Sequence, residues 1–185
     1  HHHAAGSDSG HAHSHGGDTA AWAPHDGLER IAFTTLANVI TGIGFAFLLV
    51  AGMAFRSVPV SGATGVLWGL AGFAAFTLAP SFGLPPELPT MNAAGLASRQ
   101  AWWIGTAAAT AAGLWLLILP GQTLQTRLGR PATAAFGILV IALPHIIGAP
   151  HTPETSALIP PELAARFVAT SIGTSAIFWA CLGWL

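Results

Sequence analysis

The N-terminal segment carries histidines at a spacing that suits metal binding. His11, His13 and His15 alternate with alanine and serine in a stretch that is otherwise glycine, alanine, serine and aspartate. Neutral imidazole binds cobalt, nickel, copper and zinc, and a flexible chain with histidines two residues apart can wrap around one ion. We therefore predict a metal-collecting segment over residues 1–28, which has too little apolar surface to fold by itself. A solvated tail without function is the alternative, and His1–His3 are either native or a purification tag.

A second group of candidate ligands lies in the C-terminal part of the chain. His145, His151, Glu154 and Glu162 fall within eighteen residues. His145 follows Pro144 near the end of an apolar segment, and histidine at membrane depth is rare and tends to be functional. Two imidazoles and two carboxylates form a ligand set that suits a divalent transition metal. The alternative is a histidine that only forms a hydrogen bond at a helix end and faces water.

Two candidate glutamates occupy a repeated sequence. Glu87 and Glu162 each stand in the sequence Pro-Pro-Glu-Leu. Proline is tolerated in the first turn of a helix, and the helix dipole stabilises a carboxylate there, so both glutamates suit helix starts as well as metal ligands. Arg99 and Arg166 would then position these helix starts or pair with the glutamates, and Glu162 and Arg166 have the favourable i,i+4 spacing.

The composition excludes several other chemistries. The chain is 52% hydrophobic and 7% charged, with a mean hydropathy of +0.61, whereas soluble domains are about a quarter charged. Its six basic residues are all arginines, so it lacks the lysine of a phosphate loop, and a net charge of −1 argues against nucleic acid. Cys181 is the single cysteine, which excludes an intrachain disulfide. Since no nucleophile–base arrangement occurs either, the sequence predicts neither an enzyme nor a tightly bound cofactor.

Five apolar segments have to position these side chains. Each approaches the roughly 20 residues that a helix needs to cross a bilayer. We predict an all-α polytopic membrane helix bundle, with a transmembrane domain over residues 29–185. Proline is expected to close the second span at Pro80, and to kink or end the fourth at Pro144. The predicted spans are about 31–55, 60–79, 100–119, 131–147 and 163–185.

The polar residues are sorted between the two ends of these spans. Residues 1–28 and the loops 80–99 and 148–162, with the residues beside them, contain all nine histidines and all seven carboxylates. The opposite face contains arginines and no acid, namely Arg56, Arg127 and Arg130. We assign the arginine-only face to the cytoplasm, which makes the histidine-rich segment extracytoplasmic.

The second and third spans resemble the fourth and fifth. Residues 85–88 and 160–163 both read PPEL, and Ile104-Gly105-Thr106 recurs as Ile172-Gly173-Thr174. This repeat predicts two similar parallel helical hairpins. Parallel repeats are related by an axis along the membrane normal, and transporters commonly place their sites between the two halves.

Three further stretches stand out in the sequence: LAPSFGLPPELP at residues 78–89, RQAWW at residues 99–103 and ALPHIIGAP at residues 142–150. They are similar to signature sequences of the CbtA family, a proposed membrane subunit of a bacterial cobalt transporter, and the resemblance covers roughly residues 28–185. It implies a multi-pass protein of the bacterial inner (cytoplasmic) membrane that associates with a small one-span CbtB-like protein. It also implies one further span upstream of the histidine-rich segment.

We therefore expect uptake of a divalent transition metal, most of all cobalt, with nickel and zinc as further candidates. His145, with His151, Glu154 and either Glu162 or Glu87, would receive the ion at the mouth between the repeats, and weak ligands would release it inward. A non-transporting scaffold or accessory subunit with a metal-buffering loop is the alternative, because the spans contain few polar side chains. The sequence leaves open whether the protein forms a homo-oligomer in the lipid bilayer. The side chains expected to line a path are Asn38, Thr41, Thr106 and Thr174.

Overall fold

The computed structural model describes residues 24–57, 59–88, 94–118, 129–151 and 159–185, and these contain helices and no strand. All five long helices in these ranges are long and apolar enough to cross a membrane. The all-α polytopic membrane fold is thereby confirmed. In chain order the helices are α1 (Leu28–Phe55), α2 (Gly62–Ser81), α3 (Leu96–Ile118), α4 (Arg130–Ile147) and α5 (Pro161–Trp184).

The chain divides into two compact units, one ending at Ile40 and the other formed by Thr41–Leu185. In the first unit, Asp26 and Arg30 form an ion pair of 2.8 Å one helical turn apart. Both side chains are mostly exposed, so this pair contributes little to stability. The second unit contains the remainder of α1 and all of α2 to α5.

Glycines bring α2 and α5 into backbone contact in an antiparallel arrangement. Gly65 and Gly69 near the start of α2 lie against Gly183 and Trp179 near the end of α5. A methyl group on Gly65 would overlap the carbonyl oxygen of Gly183. Small residues four apart allow this close approach between helices in lipid.

Helices α3 and α4 make the equivalent contact. Gly113 of α3 lies against Gly137 and Ile141 of α4, and a Cβ on Gly137 would stand 3.0 Å from the carbonyl oxygen of Gly113. Further along, Trp102 of α3 meets His145 of α4, so this pair is antiparallel as well. The closely packed pairs are thus α2 with α5 and α3 with α4, and the two parallel hairpins of consecutive helices stay a prediction from the repeat.

Most of the outward surface of these helices is apolar. Large aliphatic side chains such as Leu67, Ile138 and Ile177 are 60–67% exposed. A soluble protein rarely exposes contiguous apolar surface of this kind, whereas a bilayer solvates it. The arrangement therefore suits lipid on the outside of the bundle.

Aromatic side chains attach the C-terminal half of α1 to the bundle. Phe45 packs 4.6 Å from the ring of Trp179 and 5.2 Å from that of Phe76, measured between ring centroids. Trp179 is buried, and its indole Nε1–H donates to Thr77 Oγ1 at 3.2 Å. A satisfied indole N–H in an apolar surrounding anchors three helices at one point.

Proline affects α2 differently from the prediction. Pro80 lies inside the helix, which continues to Ser81, and residues Ala74–Leu78 before it form a π-helical turn. Proline has no N–H, and its ring clashes with the carbonyl four residues earlier in a regular α-helix. The wider turn accommodates that clash, so the helix does not stop at Pro80. In α4, Pro144 is likewise internal, and the helix ends three residues later at Ile147.

Candidate functional site

One end of the second unit gathers the end of α2, the start of α3 and the end of α4. The ring of His145 stands edge-on to the rings of Phe82 and Trp102, with centroids 6.2 and 5.9 Å away. These side chains surround an open cavity of about 440 Å³. Its lining consists of Phe82, Gly83, Trp102, His145, Gly148, Ala149 and His151.

The structure brings two of the predicted ligands, His145 and His151, to this same cavity. Gly148 makes this arrangement possible, because it caps α4 with a positive φ of 89° that glycine adopts without strain. Its N–H donates to the carbonyl of Pro144 at 3.0 Å. The chain turns at this point, so the half-buried His145 and the exposed His151 lie at one mouth.

Glu87 is paired with an arginine. Its Oε2 lies 3.0 Å from Nη2 of Arg99, and both side chains are less than a third exposed. The arginine partner that the sequence allowed is therefore the partner found in the structure. Glu87 is also absent from the lining of the cavity, so metal binding through its carboxylate would require this ion pair to open.

Glu162 lies in the first turn of α5, as its Pro-Pro-Glu sequence predicts. It is exposed, and so is Arg166. The ion pairs within the described ranges are those of Arg30 and Arg99, so the i,i+4 spacing of Glu162 and Arg166 does not produce one. An exposed pair of long side chains gains little energy from pairing.

The remaining predicted ligands lie outside the described residues. These are His11, His13 and His15 of the N-terminal segment, and Glu154 in the loop after α4. Where residues are described, no three His, Cys, Asp or Glu side chains lie close enough to hold one metal ion. His145 and His151 thus supply at most two ligands from this part of the chain, and further ligands would come from water or from segments not described.

A row of buried polar atoms leads from the cavity into the bundle. The buried side-chain nitrogen and oxygen atoms that lack a hydrogen-bond partner in the described ranges belong to Arg99, Trp102, Thr106 and Thr110. All four residues lie on α3 within about 80° of its circumference, and the row from residue 99 to residue 110 is about 16 Å long. Half of a bilayer's hydrocarbon core is about 15 Å thick. This α3 polar row therefore reaches roughly to mid-membrane.

Unpaired buried hydroxyls need an explanation, because burial without a partner costs free energy. Thr106 and Thr110 are 0% and 3% exposed. A helical threonine commonly donates to the carbonyl four residues earlier, as Thr133 does to Gly129 at 3.1 Å. Neither Thr106 nor Thr110 has such a bond, so both hydroxyls are buried and unpaired in this conformation.

Three other side chains predicted to line a path have a different environment. Asn38, Thr41 and Thr174 are exposed, and Thr41 already has an interaction partner. Thr174 is exposed, whereas Thr106, its counterpart in the Ile-Gly-Thr repeat, is fully buried. The repeat therefore does not give the two threonines the same environment.

Sequence reasoning missed Trp102 and Thr110 as functional candidates. In the sequence Trp102 stands out only as part of the RQAWW stretch, yet its indole lines the cavity and has an unpaired Nε1. The i,i+4 spacing of Thr106 and Thr110 was the available signal, since it places both hydroxyls on one helix face.

The Glu87–Arg99 pair is expected to stabilise the fold. Glu87→Gln and Arg99→Gln should each lower the free energy of unfolding. The double variant should lose less than the sum of the two single losses, and the difference, the coupling energy, should be about 1 kcal/mol. A thermal-unfolding cycle in detergent measures this coupling, and Glu162→Gln is the matched control because Glu162 is exposed and forms no ion pair with described residues. A coupling energy near zero would show that the contact contributes nothing.

Comparison with known proteins identifies one family. The family model described as "Probable cobalt transporter subunit (CbtA)" matches residues 1–185. It thus extends through the histidine-rich segment, beyond the roughly 28–185 that the sequence motifs covered. No curated protein and no solved structure matches the chain. The match includes every residue of the sequence, and the chain therefore belongs to the CbtA family of probable cobalt transporter subunits.

Proposed function

We propose that this chain is the membrane subunit through which cobalt enters the cell, with His145 and His151 receiving the ion. The α3 polar row supports the proposal, because it extends from Trp102 at the two-histidine cavity to the buried Thr110 inside the bundle. Imidazole is a good ligand for cobalt, and threonine and indole groups could organise the water that accompanies the ion. Ligands this few and weak favour passage of the ion over retention.

The face that carries the cavity is, in this proposal, the outer face of a bacterial inner membrane. The histidines at residues 11, 13 and 15 and Glu154 would gather ions there. The other end of the bundle carries Arg56 and Arg130 and, among the described residues, no acidic side chain. Nickel and zinc remain alternative cargoes, because imidazole binds them as well. A subunit requires at least one partner, and a one-span CbtB-like protein is the partner that we propose.

A second candidate function is that of an accessory subunit that binds metal without conducting it. Below Thr110, Gly113 packs directly on Gly137 and Ile141, and this contact closes the α3 polar row in the present conformation. A transporter must open that contact during its cycle. An accessory subunit would keep it closed and would deliver the ion to its partner from the cavity.

Valine in place of Thr106 and Thr110 separates a functional role from a structural one. Removing unpaired buried hydroxyls while keeping the side-chain shape should leave stability unchanged or slightly increased. Hydrogen bonds to charged groups contribute about 1.5–3 kcal/mol, so losing each threonine should lower the rate of cobalt uptake about tenfold or more.

The measurement is uptake of radiolabelled cobalt by cells that express the complete gene, with and without its partner gene. Thr174→Val is the matched control, because it removes an exposed hydroxyl at the corresponding position of the repeat. We expect the control to take up cobalt like the unaltered protein. Full uptake by the Thr106→Val/Thr110→Val variant would refute conduction along α3. Partner-dependent uptake that survives this change would support the accessory function.

A further inference from the structure

A crevice separate from the histidine cavity lies between the C-terminal half of α1 and helices α2 and α3. Its volume is about 420 Å³, and almost all of its surface is apolar. Leu48, Leu67, Trp68 and Leu114 contribute to the walls, and Arg56 and Trp115 lie at the end remote from the histidine cavity. The crevice thus combines an apolar interior with one cation at one end.

Arg56 is held in a position where it can bind an anion. Its guanidinium lies 5.6 Å above the ring of Trp115 and donates from Nη2 to the carbonyl of Ile118 at 3.3 Å. The ion pairs in the described part of the chain involve other arginines. A guanidinium has five N–H donors in a fixed plane, so the remaining ones can form charge-assisted hydrogen bonds with phosphate oxygens.

The length of the crevice matches one leaflet of a bilayer. Along α2 its wall extends from Thr64 to Phe76, which is twelve residues or about 18 Å of helix. One leaflet contributes about 15 Å of hydrocarbon. Arg56 follows the last residue of α1 and therefore stands near headgroup depth when Phe76 stands near mid-membrane. An acyl chain in the crevice would place its headgroup beside Arg56.

The walls favour a narrow flexible occupant over a helix. Close helix contacts in this protein use bare glycines, such as Gly65 on Gly183. The two glycines that line the crevice are already covered, Gly52 by the indole of Trp68 and Gly72 by that of Trp179. A volume of about 420 Å³ lies within the range of pockets that enclose a small molecule. We propose that this crevice binds one acyl chain of an anionic phospholipid whose phosphate is held by Arg56, independently of cobalt transport.

Brominated lipids test the proposal, because bromine quenches the fluorescence of tryptophans within short range, and Trp68 and Trp115 line the crevice. The full-length chain is reconstituted in phosphatidylcholine vesicles that contain a minor fraction of either brominated phosphatidylglycerol or brominated phosphatidylcholine. We expect brominated phosphatidylglycerol to reach the same quenching at about fivefold lower concentration than brominated phosphatidylcholine, because one arginine near the membrane surface favours anionic lipid by about this factor. The preference should disappear in Arg56→Gln.

Arg130→Gln is the matched control, because it removes an arginine from the same end of the bundle but outside the crevice. It should keep the preference for phosphatidylglycerol. A second variant, Ala71→Leu, fills the crevice and should reduce quenching by both lipids. Equal quenching by the two lipids in the unaltered protein would overturn the proposal. Equal effects of Arg56→Gln and Arg130→Gln on the preference would also overturn it. Loss of quenching when a partner protein is co-reconstituted would overturn it as well, because a helix of the partner would then occupy the crevice.

Discussion

Replacing Gly65 by alanine is expected to destabilise the bundle by about 2–3 kcal/mol, because the new methyl group overlaps the carbonyl oxygen of Gly183. The two backbones cannot move apart at Gly65 alone, because Gly69 is packed on Trp179 one turn further along. Helices α2 and α5 would have to separate, and the surrounding lipid provides no hydrophobic force to draw them together again. The apparent melting temperature in detergent, followed by fluorescence-detected size exclusion, measures the loss.

Gly173→Ala is the matched control for this substitution. Gly173 lies on α5, and a Cβ at this position would meet no atom within 4 Å. Because alanine has the higher helix propensity, we expect the stability of this variant to be unchanged or raised. If the Gly65→Ala protein has the same apparent melting temperature as the Gly173→Ala control, α2 and α5 are not in backbone contact.

The helical fold follows from the sequence because its determinants are local. Apolar length sets each span, and the repeated PPEL and Ile-Gly-Thr sequences indicate hairpins of one orientation. The glycine spacing at Gly65 and Gly69 identifies a close contact, although not its partner. Pro80 shows the limit of local rules. The expected stop at this proline becomes a π-helical turn at Ala74–Leu78, which accommodates the proline ring, and the helix continues to Ser81.

The candidate site depends on contacts that spacing in the sequence does not encode. His145 and His151 meet at one cavity because Gly148 turns the chain back, and the Phe82 and Trp102 side chains that enclose them come from other helices. Glu87 looks like a free carboxylate in the sequence and is an ion-pair partner in the fold. Thr106 and Thr174 look equivalent in the repeat, yet the first is buried and the second is exposed.

The two helix pairs are related by the repeat but have different interiors. In the α2 and α5 pair, Trp179 fills the interface, and its N–H is satisfied by Thr77. In the α3 and α4 pair, Thr106 and Thr110 remain unpaired. A symmetric transporter would place its route on the axis between the halves. In the described ranges the unsatisfied buried polar atoms lie on α3, so the route that we propose follows α3 and not the axis between the halves.

Alanine in place of His145 is expected to reduce cobalt uptake at least tenfold, because this imidazole lies at the mouth where the α3 polar row begins. Loss of even an outer-shell partner costs a metal site about 10–100-fold, and His145 is proposed as a direct ligand. His151→Ala should cause a smaller loss, since that side chain is exposed and its loop can rearrange.

Uptake of radiolabelled cobalt measured over a range of concentrations distinguishes capture from conduction in these variants. Loss of a ligand at the entrance should raise the concentration for half-maximal uptake, whereas Thr106→Val/Thr110→Val should lower the maximal rate. A variant that lacks residues 1–24 is the matched control for the histidine-rich segment, and it should lose uptake only at low cobalt. Uptake by His145→Ala that equals that of the unaltered protein at every concentration would remove this residue from the route, and the cavity would then have no part in transport.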